Sequence, residues 1–292
     1  MPKVCNYYVT LRCNDQCEFC SIWDNEEYKK IEEKPFDLAS LKNLGVTQLN
    51  ITGGEPLLRG DLPQILKQAK ELGLETKLTT NGILYDGKME RWMDGKVDHL
   101  YFSLDYPTAE QHDRSRGVEC FHQIIKAIKL AQELGQKPII KFTMTRDSVL
   151  FLPEMVDLAE RLGVCLYLNP VYDFYGTQGF EPATIAHMRY YARRKHVQVN
   201  YAVLEFAKHN GNRVYMPRCK ARETTITILP DGRRVVPCLF NQNGQQGRAD
   251  VCSSCMRWPY MLPSFGRGID KYFWLDLLSK ILAKRKAPRL GR

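Results

Sequence analysis

Short apolar runs and amphipathic stretches alternate along roughly the first two thirds of the chain. Runs rich in β-branched and aromatic residues predict strands, and apolar residues at helical spacing predict helices. Strands are predicted at residues 5–11, 48–52, 74–80, 100–104, 138–143 and 164–168. Helices are predicted at residues 63–72, 89–93, 121–134, 152–162, 184–195 and 201–208. This alternation is typical of an α/β protein with a parallel sheet.

The six strand–helix units are too few to close an eight-stranded barrel. In parallel α/β barrels, chemistry gathers in the loops at the C-terminal ends of the strands. The segments that follow the predicted strands are therefore the first place to look for a functional site.

Three cysteines follow the first predicted strand, in the spacing Cys13-x3-Cys17-x2-Cys20. Thiolate is the ligand that iron–sulfur clusters use, so three thiolates can hold three irons of a 4Fe–4S cube. The loop has no fourth cysteine, which would leave one iron open to a ligand from outside the protein. The alternative is a zinc site, although such sites usually have four ligands in paired spacings.

A second group of four cysteines, Cys219, Cys238, Cys252 and Cys255, lies towards the C-terminal end of the sequence. Asp231-Gly232, between two β-rich runs, predicts a hairpin that brings Cys219 and Cys238 together. Four thiolates would saturate a 4Fe–4S cluster. A zinc ribbon with the same ligands is the alternative.

The spacing of the first three cysteines, with Phe19 before the last, resembles that of the radical S-adenosylmethionine (SAM) superfamily. Thr52-Gly53-Gly54-Glu55-Pro56 matches the family's GGEP segment. The four later cysteines resemble its auxiliary-cluster extension, called twitch or, in a longer form, SPASM. A full SPASM extension would carry further cysteines after Cys255, and the gap between Gly232 and Cys238 is one residue longer than usual.

The resemblance implies a partial (β/α)6 barrel with a small C-terminal β-hairpin and a cysteine-rich auxiliary iron–sulfur extension. Residues 1–210 are expected to form the barrel and residues 211–260 the auxiliary cluster domain. Residues 261–292 are expected to form an amphipathic helix and a basic tail.

The resemblance also implies two 4Fe–4S clusters and bound SAM. SAM would fill the open iron, and the reduced cluster would cleave it to a 5′-deoxyadenosyl radical that abstracts a hydrogen atom from substrate. The residues expected to contact SAM are Gly53, Gly54 and Glu55 at its amino group, Ser103 at its ribose, Lys141 at its carboxylate and Phe19 beside its adenine. The simpler alternatives are an ordinary turn for Gly53 and Gly54, a strand-end hydroxyl bonded to local backbone for Ser103 and a solvated side chain for Lys141.

The composition and the cysteine distribution favour a globular cytoplasmic protein over a membrane-spanning or secreted one. The chain has 292 residues, of which 44% are hydrophobic, and carries a net charge of +9. It has no apolar run near the ~20 residues that cross a bilayer and no signal peptide pattern, so a cytoplasmic protein is expected. Seven of its ten cysteines fall into the two clusters. The other three, Cys5, Cys120 and Cys165, are expected to be buried or unremarkable thiols.

The last part of the chain predicts an amphipathic helix with a basic end. Its apolar residues are Tyr272, Phe273, Trp274, Leu277, Leu278, Ile281 and Leu282, and Lys284-Arg285-Lys286, Arg289 and Arg292 follow. Such a helix can lie on the inner, anionic face of a membrane. Alternatively, the apolar stripe docks on the barrel and the basic end is solvated.

The main hypothesis is a radical SAM enzyme acting on a small molecule or membrane lipid, by dehydrogenation, another oxidation or carbon–carbon bond formation. A flavodoxin or ferredoxin-type protein would supply the electron. A peptide-modifying maturase is an alternative, although Cys13 is so near the start that no leader-binding domain is expected before the barrel. A zinc-stabilised basic nucleic-acid-binding protein is the alternative from another class, but the sequence shows no known RNA-binding motif.

Overall fold

The computed structural model of the chain describes residues 3–171, 180–208, 219–235 and 258–286. The chain forms two compact units. Among the described residues, the first unit contains residues 3–140 and 226–235, and the second contains residues 141–171, 180–208, 219–225 and 258–286.

The strands of the described residues are, in chain order, β1 (Lys3–Thr10), β2 (Val46–Gly53), β3 (Glu75–Thr80), β4 (His99–Ser103), β5 (Ile139–Met144), β6 (Cys165–Pro170), β7 (Val197–Val199), β8 (Thr225–Ile228) and β9 (Arg234–Val235). The helices are α1 (Glu26–Lys29), α2 (Ala39–Asn43), α3 (Leu62–Glu71), α4 (Gly87–Met93), α5 (Ala109–Arg116), α6 (Phe121–Glu133), α7 (Leu152–Leu162), α8 (Pro182–Tyr191), α9 (Tyr201–Lys208), α10 (Ala221–Thr224), α11 (Trp258–Met261) and α12 (Lys271–Lys286). Short 3-10 helices lie at Pro56–Leu58, Ser148–Phe151 and Leu262–Arg267.

In the first unit, strands β1 to β4 pair in parallel in the order β4-β3-β2-β1, and β8 and β9 follow beyond β1. The last six residues of β1 are all buried, as expected for a strand covered on both faces of a parallel sheet. The parallel arrangement places the C-terminal ends of β1 to β4 at one edge. The segments that carry the predicted chemistry leave the sheet at this edge.

The hairpin predicted around Asp231-Gly232 is present. Strands β8 and β9 pair antiparallel, and Gly232 takes a φ of 84° in the connecting turn. This left-handed conformation suits glycine, which has no Cβ to clash with the backbone.

In the second unit, β6 pairs in parallel with β7, a three-residue strand that the sequence analysis did not predict. The predicted helix at residues 184–195 ends at Tyr191, because residues 192–196 turn into β7. The other predicted strands and helices are found, with ends displaced by a few residues. The α/β prediction is thus confirmed, and Cys5, Cys120 and Cys165 are buried free thiols as expected.

Helix α12 buries one end of its predicted apolar stripe, where Tyr272 is 6% exposed and stacks on Phe265, and turns other stripe residues outward. Trp274, Leu277, Leu278 and Ile281 are 38–58% exposed, whereas the polar residues Asp276 and Ser279 are buried. Asn200 Nδ2 donates a 2.7 Å hydrogen bond to Asp276 Oδ1. The backbone N–H of Tyr201 donates to Ser279 Oγ at 2.8 Å. Polar contacts to the start of α9 therefore decide which face of α12 turns inward.

Candidate cluster and cofactor site

The three N-terminal cysteines lie on the loop that leaves β1. Cys17 is buried, and Cys13 and Cys20 are half-buried. Burial raises the pKa of the Cys13 and Cys17 thiols to about 12 and also raises the pKa of Cys20. At neutral pH these groups stay protonated unless a cation compensates the thiolate charge, and iron bound to the sulfur would do so.

Within the described parts of the chain, no three His, Cys, Asp or Glu side chains surround a point where one metal ion could bind. A 4Fe–4S cube makes a different demand, because each thiolate binds its own iron at a separate corner. Three free thiols on one loop suit that demand. The backbone N–H of Asp15 also points at Cys13 Sγ, at 3.4 Å, as N–H groups around iron–sulfur clusters do.

Gly53 and Gly54 carry the end of β2 past the end of β1 at very short range. The N–H of Gly54 donates to Thr10 O at 2.9 Å, and the N–H of Glu55 donates to Arg12 O at 2.8 Å. A Cβ on Gly53 would lie 2.0 Å from Thr10 O, and one on Gly54 would lie 2.0 Å from Arg12 O. The structure therefore gives these glycines a role beyond the predicted approach to SAM, since only glycine lets the two strand ends meet.

Glu55 lies at the centre of the edge, with 1% of its surface exposed. Its Oε1 accepts hydrogen bonds from the N–H of Leu57 at 2.9 Å and the hydroxyl of Thr80 at 2.7 Å. Its Oε2 accepts one from the N–H of Asn81 at 2.7 Å. Burial raises the pKa of Glu55 to about 7. The carboxylate thus joins the end of β2 to the end of β3, and its predicted contact with the SAM ammonium stays a prediction.

Asn81 connects β3 to the cysteine loop. Its Oδ1 accepts a hydrogen bond from the N–H of Ile83 at 3.1 Å, which is the turn contact that asparagine commonly makes before glycine. Its Nδ2 also donates to Asn14 Oδ1 at 2.8 Å. Sequence reasoning missed this second contact, which fixes the loop between Cys13 and Cys17.

The other residues predicted to bind SAM are placed as follows. Ser103 is the last residue of β4 and is half-buried. Phe19 is half-buried, and its ring centroid lies 5.6 Å from Cζ of Arg116. Lys141 lies in β5 and belongs to the second unit. Their contacts with SAM stay predictions.

The site also contains a buried ionic cluster that the sequence analysis did not predict. Arg116, at the end of α5, donates from Nη1 to Asp15 Oδ2 at 3.3 Å and from Nη2 to Asp105 Oδ2. The same Nη1 lies 3.4 Å from Cys17 Sγ. Burial leaves His112 neutral, with its pKa lowered to about 2, and its Nδ1 accepts from the N–H of Asp105 at 3.2 Å.

A sequence signal for α5 exists in its caps. Thr108 accepts a hydrogen bond from the N–H of Gln111 at the start of the helix, and Gly117 ends it with a φ of 69°. Threonine before a helix and glycine after it are the usual boundary signals. The helix itself has almost no apolar residues, so hydrophobic periodicity does not reveal it.

The predicted auxiliary ligands can be followed only in part. Cys219 is half-buried, directly before the helical turn α10 and its N-cap Lys220. Cys238, Cys252 and Cys255 lie outside the described residues. The auxiliary cluster therefore stays a prediction.

Comparison with known proteins assigns the chain to a family. Residues 7–167 match the model of the radical SAM superfamily, and the chain belongs to this superfamily. It is a radical SAM enzyme. Membership implies a SAM-binding 4Fe–4S cluster, which suits the free thiols of the loop and the two donors directed at them, the N–H of Asp15 and the guanidinium of Arg116.

Two relatives indicate the range of the family around this chain. The PqqA peptide cyclase of Granulibacter bethesdensis is 32% identical over 161 residues, covering 53% of this chain and 43% of that protein. A probable GTP 3′,8-cyclase of Metallosphaera sedula is 28% identical over 261 residues, covering 80% of each. The chain thus spans less than half the length of the first relative and four fifths of the second.

The solved structure of Streptococcus suis SuiB bound to the precursor peptide SuiA has the same fold. Its TM-score is 0.68 at 19% sequence identity, and the match covers 91% of this chain and 66% of that chain. The same protein has also been solved bound to S-adenosylmethionine. This similarity confirms the predicted partial barrel fold.

Proposed function

We propose that the chain binds a 4Fe–4S cluster through Cys13, Cys17 and Cys20, cleaves SAM reductively and starts hydrogen-atom abstraction from its substrate. The observation that carries this proposal is the loop itself, on which three free thiols lie at the edge where Gly53, Gly54 and Glu55 end β2. When bound, the cluster would supply the electron that cleaves the sulfonium bond of SAM.

The residues at the C-terminal ends of the strands serve this chemistry by fixing the position of the cysteine loop and by limiting the access of water. The contacts from Gly54, Glu55 and Asn81 fix the ends of β1, β2 and β3 relative to one another. Burial of Glu55 and Asp105 supports exclusion of water from the inner part of this edge. A reactive radical needs such exclusion, because water and stray side chains would otherwise quench or divert it.

The proposed reaction class is ring closure within one substrate molecule. The names of the two relatives support it, since one is a peptide cyclase and the other a GTP cyclase. Carbon–carbon bond formation was among the reactions that the sequence left open. The GTP cyclase supports a purine nucleotide as the substrate class, because it matches four fifths of both chains.

A peptide substrate is the second candidate. It is supported by the PqqA peptide cyclase and by SuiB, whose structure holds a precursor peptide. The zinc-binding, nucleic-acid-binding alternative is not favoured, because the chain belongs to the radical SAM superfamily. A flavodoxin or ferredoxin-type protein remains the proposed electron donor.

An anaerobic preparation tests cluster binding. The full chain should contain iron and sulfide, and the spectrum of its reduced cluster in electron paramagnetic resonance (EPR) should change when SAM is added. A Cys13→Ala/Cys17→Ala/Cys20→Ala variant should lose that SAM-sensitive signal. A wild-type spectrum that SAM leaves unchanged would contradict an open iron.

Substrate class is tested by comparing GTP with ATP. We expect GTP, but not ATP, to raise the amount of 5′-deoxyadenosine formed. Mass spectrometry should also detect a new cyclised product derived from GTP. If both nucleotides stay intact under conditions where SAM is cleaved, the nucleotide proposal fails and peptides become the class to test.

The exposed stripe of α12 supports a proposed contact with an anionic membrane. Trp274, Leu277, Leu278 and Ile281 lie on one outward face, and Lys284, Arg285 and Lys286 end the helix. None of the described helices is both long and apolar enough to cross a membrane. Flotation with phosphatidylglycerol vesicles should be lost in Trp274→Ser/Leu278→Ser. Equal flotation of variant and wild type would remove this proposal, and with it the lipid substrate.

A further inference from the structure

The end of helix α5 holds the cysteine loop by its backbone. The N–H of Gln16 donates to Arg116 O at 2.8 Å, and the N–H of Glu18 donates to Ser115 O at 3.1 Å. The last carbonyls of a helix have no hydrogen-bond donors within the helix. Here the N–H groups of the cysteine loop are the donors. Gly117 allows the approach, because a Cβ there would lie 2.9 Å from Cβ of Gln16.

The side chain of Arg116 points back into the same loop. It is 6% exposed, and its guanidinium bonds two buried carboxylates, those of Asp15 and Asp105. The planar guanidinium can donate several hydrogen bonds in fixed directions. Here one further direction ends at Cys17 Sγ, 3.4 Å from Nη1. A buried positive charge is thus fixed beside one of the three sulfurs that would bind iron.

A role in charge balance alone does not account for this geometry. Asp15 and Asp105 could each pair with a buried arginine whose guanidinium lay elsewhere around them, so neither ion pair requires a contact with sulfur. The contact with Cys17 Sγ places the guanidinium of Arg116, with its N–H donor and its positive charge, beside a sulfur. Such a sulfur gains electron density when the cluster that it binds is reduced. Hydrogen bonds to cluster sulfurs and nearby charge are two of the ways in which proteins set the reduction potential of a cluster.

We propose that Arg116 is a positioning residue that fixes Cys17 and raises the reduction potential of the SAM-binding cluster. Reduction adds one electron to the cluster and no proton, so the fixed positive charge stabilises the reduced form. Asp15 and Asp105 act in the opposite direction, because their carboxylates offset the charge on Arg116 and Asp15 Oδ2 lies 3.7 Å from Cys17 Sγ. This inference rests on the proposed function only in requiring that the loop binds a cluster.

The test is a redox titration of the anaerobically reconstituted full chain without SAM, followed by EPR, and the midpoint is taken from the signal that Cys219→Ala/Cys255→Ala retains. Arg116→Met removes the positive charge. Arg116→Lys keeps the charge but lacks the planar guanidinium with its several donors. Arg114→Met is the matched control, because Arg114 lies on the same helix and is exposed. Iron and sulfide counts and a thermal melt accompany each titration.

We expect Arg116→Met to shift the midpoint to a more negative potential, by at least the ~59 mV that corresponds to a tenfold change for one electron. Arg116→Lys should recover part of the shift, and Arg114→Met should match the wild type. Asp105→Asn should move the midpoint in the positive direction, which a purely structural role would not do.

Some outcomes overturn the inference. One is an Arg116→Met variant that binds the cluster and has the same midpoint potential as the wild type. If Arg116→Met binds no iron, Asp105→Asn decides, and an unchanged or more negative midpoint there rejects the proposal. Wild-type protein that holds a cluster but leaves SAM intact would refute the proposed function alone, because the titration needs only the cluster.

Discussion

The backbone N–H of Asn81 donates a 2.7 Å hydrogen bond to Oε2 of Glu55, which joins the ends of two neighbouring parallel strands. The contact sets a buried carboxylate among three donors, from Leu57, Thr80 and Asn81. These donors favour the charged form, but burial outweighs them and raises the pKa to about 7.

This pKa predicts how the stability of the metal-free protein depends on pH. Glu55 titrates near 4.5 when unfolded and near 7 when folded, so the folded state binds its proton more tightly. Its contribution is complete below about pH 4.5 and is lost as the pH rises to about 7, by on the order of 3 kcal/mol. Urea unfolding between pH 5 and 8 measures this loss.

The matched variant for this prediction is Glu55→Gln, which cannot titrate. We expect it to be less stable at low pH, because the amide cannot accept all three hydrogen bonds, and to show a weaker dependence on pH. Parallel stability curves for variant and wild type across this range would show that Glu55 is not the group responsible.

Gly54→Ala should disrupt the cysteine loop. The new Cβ would lie 2.0 Å from Arg12 O and 2.5 Å from Arg12 C, so the backbone of the loop has to move. We expect a loss of several kcal/mol in the free energy of unfolding and little iron bound after reconstitution. Gly60→Ala is the control, since a Cβ there meets nothing within 4 Å. Wild-type iron content in Gly54→Ala would contradict the structural role of this glycine.

The polar face of α12 should matter more to stability than its apolar stripe. Asp276 is 3% exposed and is bonded to Asn200, whereas Leu278 is 44% exposed. We expect Asp276→Ala to cost about 1–3 kcal/mol, because it leaves a buried amide donor unpaired. Leu278→Ser should change stability by less than about 0.5 kcal/mol. Thermal and urea unfolding of both variants would reveal the reverse order if the stripe were the docking face.

The auxiliary cysteines yield a prediction about iron content. If both groups of cysteines bind 4Fe–4S clusters, the full chain should contain about eight irons and Cys219→Ala/Cys255→Ala about four. The remaining cluster should still respond to SAM, because the ligands Cys13, Cys17 and Cys20 are unchanged. About four irons in the wild type, with zinc present, would favour a zinc ribbon at the second group.

Sequence reasoning reached those parts of the fold that hydrophobic periodicity encodes. Helix α6 carries apolar residues at regular spacing, and Asp231-Gly232 marks its hairpin through local turn chemistry. Helix α5 lacks such a pattern, since its sequence is AEQHDRSR. The face of α12 that turns inward was also missed, because hydrogen bonds to Asn200 and Tyr201 decide it, and not apolarity.

The candidate site shows the same division. Cys13, Cys17 and Cys20 lie within eight positions of one another, so their spacing alone suggests a cluster. Arg116 reaches Cys17 across 99 positions of the chain, and such a partnership has no local signal. The tight contact that requires Gly54 is similarly invisible until β1 and β2 are paired.

The most direct test of the central claim is whether the reduced protein cleaves SAM. Anaerobically reconstituted full chain is incubated with dithionite and SAM, and 5′-deoxyadenosine is quantified by liquid chromatography and mass spectrometry. We predict that the wild type forms it and that Cys13→Ala/Cys17→Ala/Cys20→Ala does not. Intact SAM in the presence of a fully loaded, reduced cluster would contradict the account.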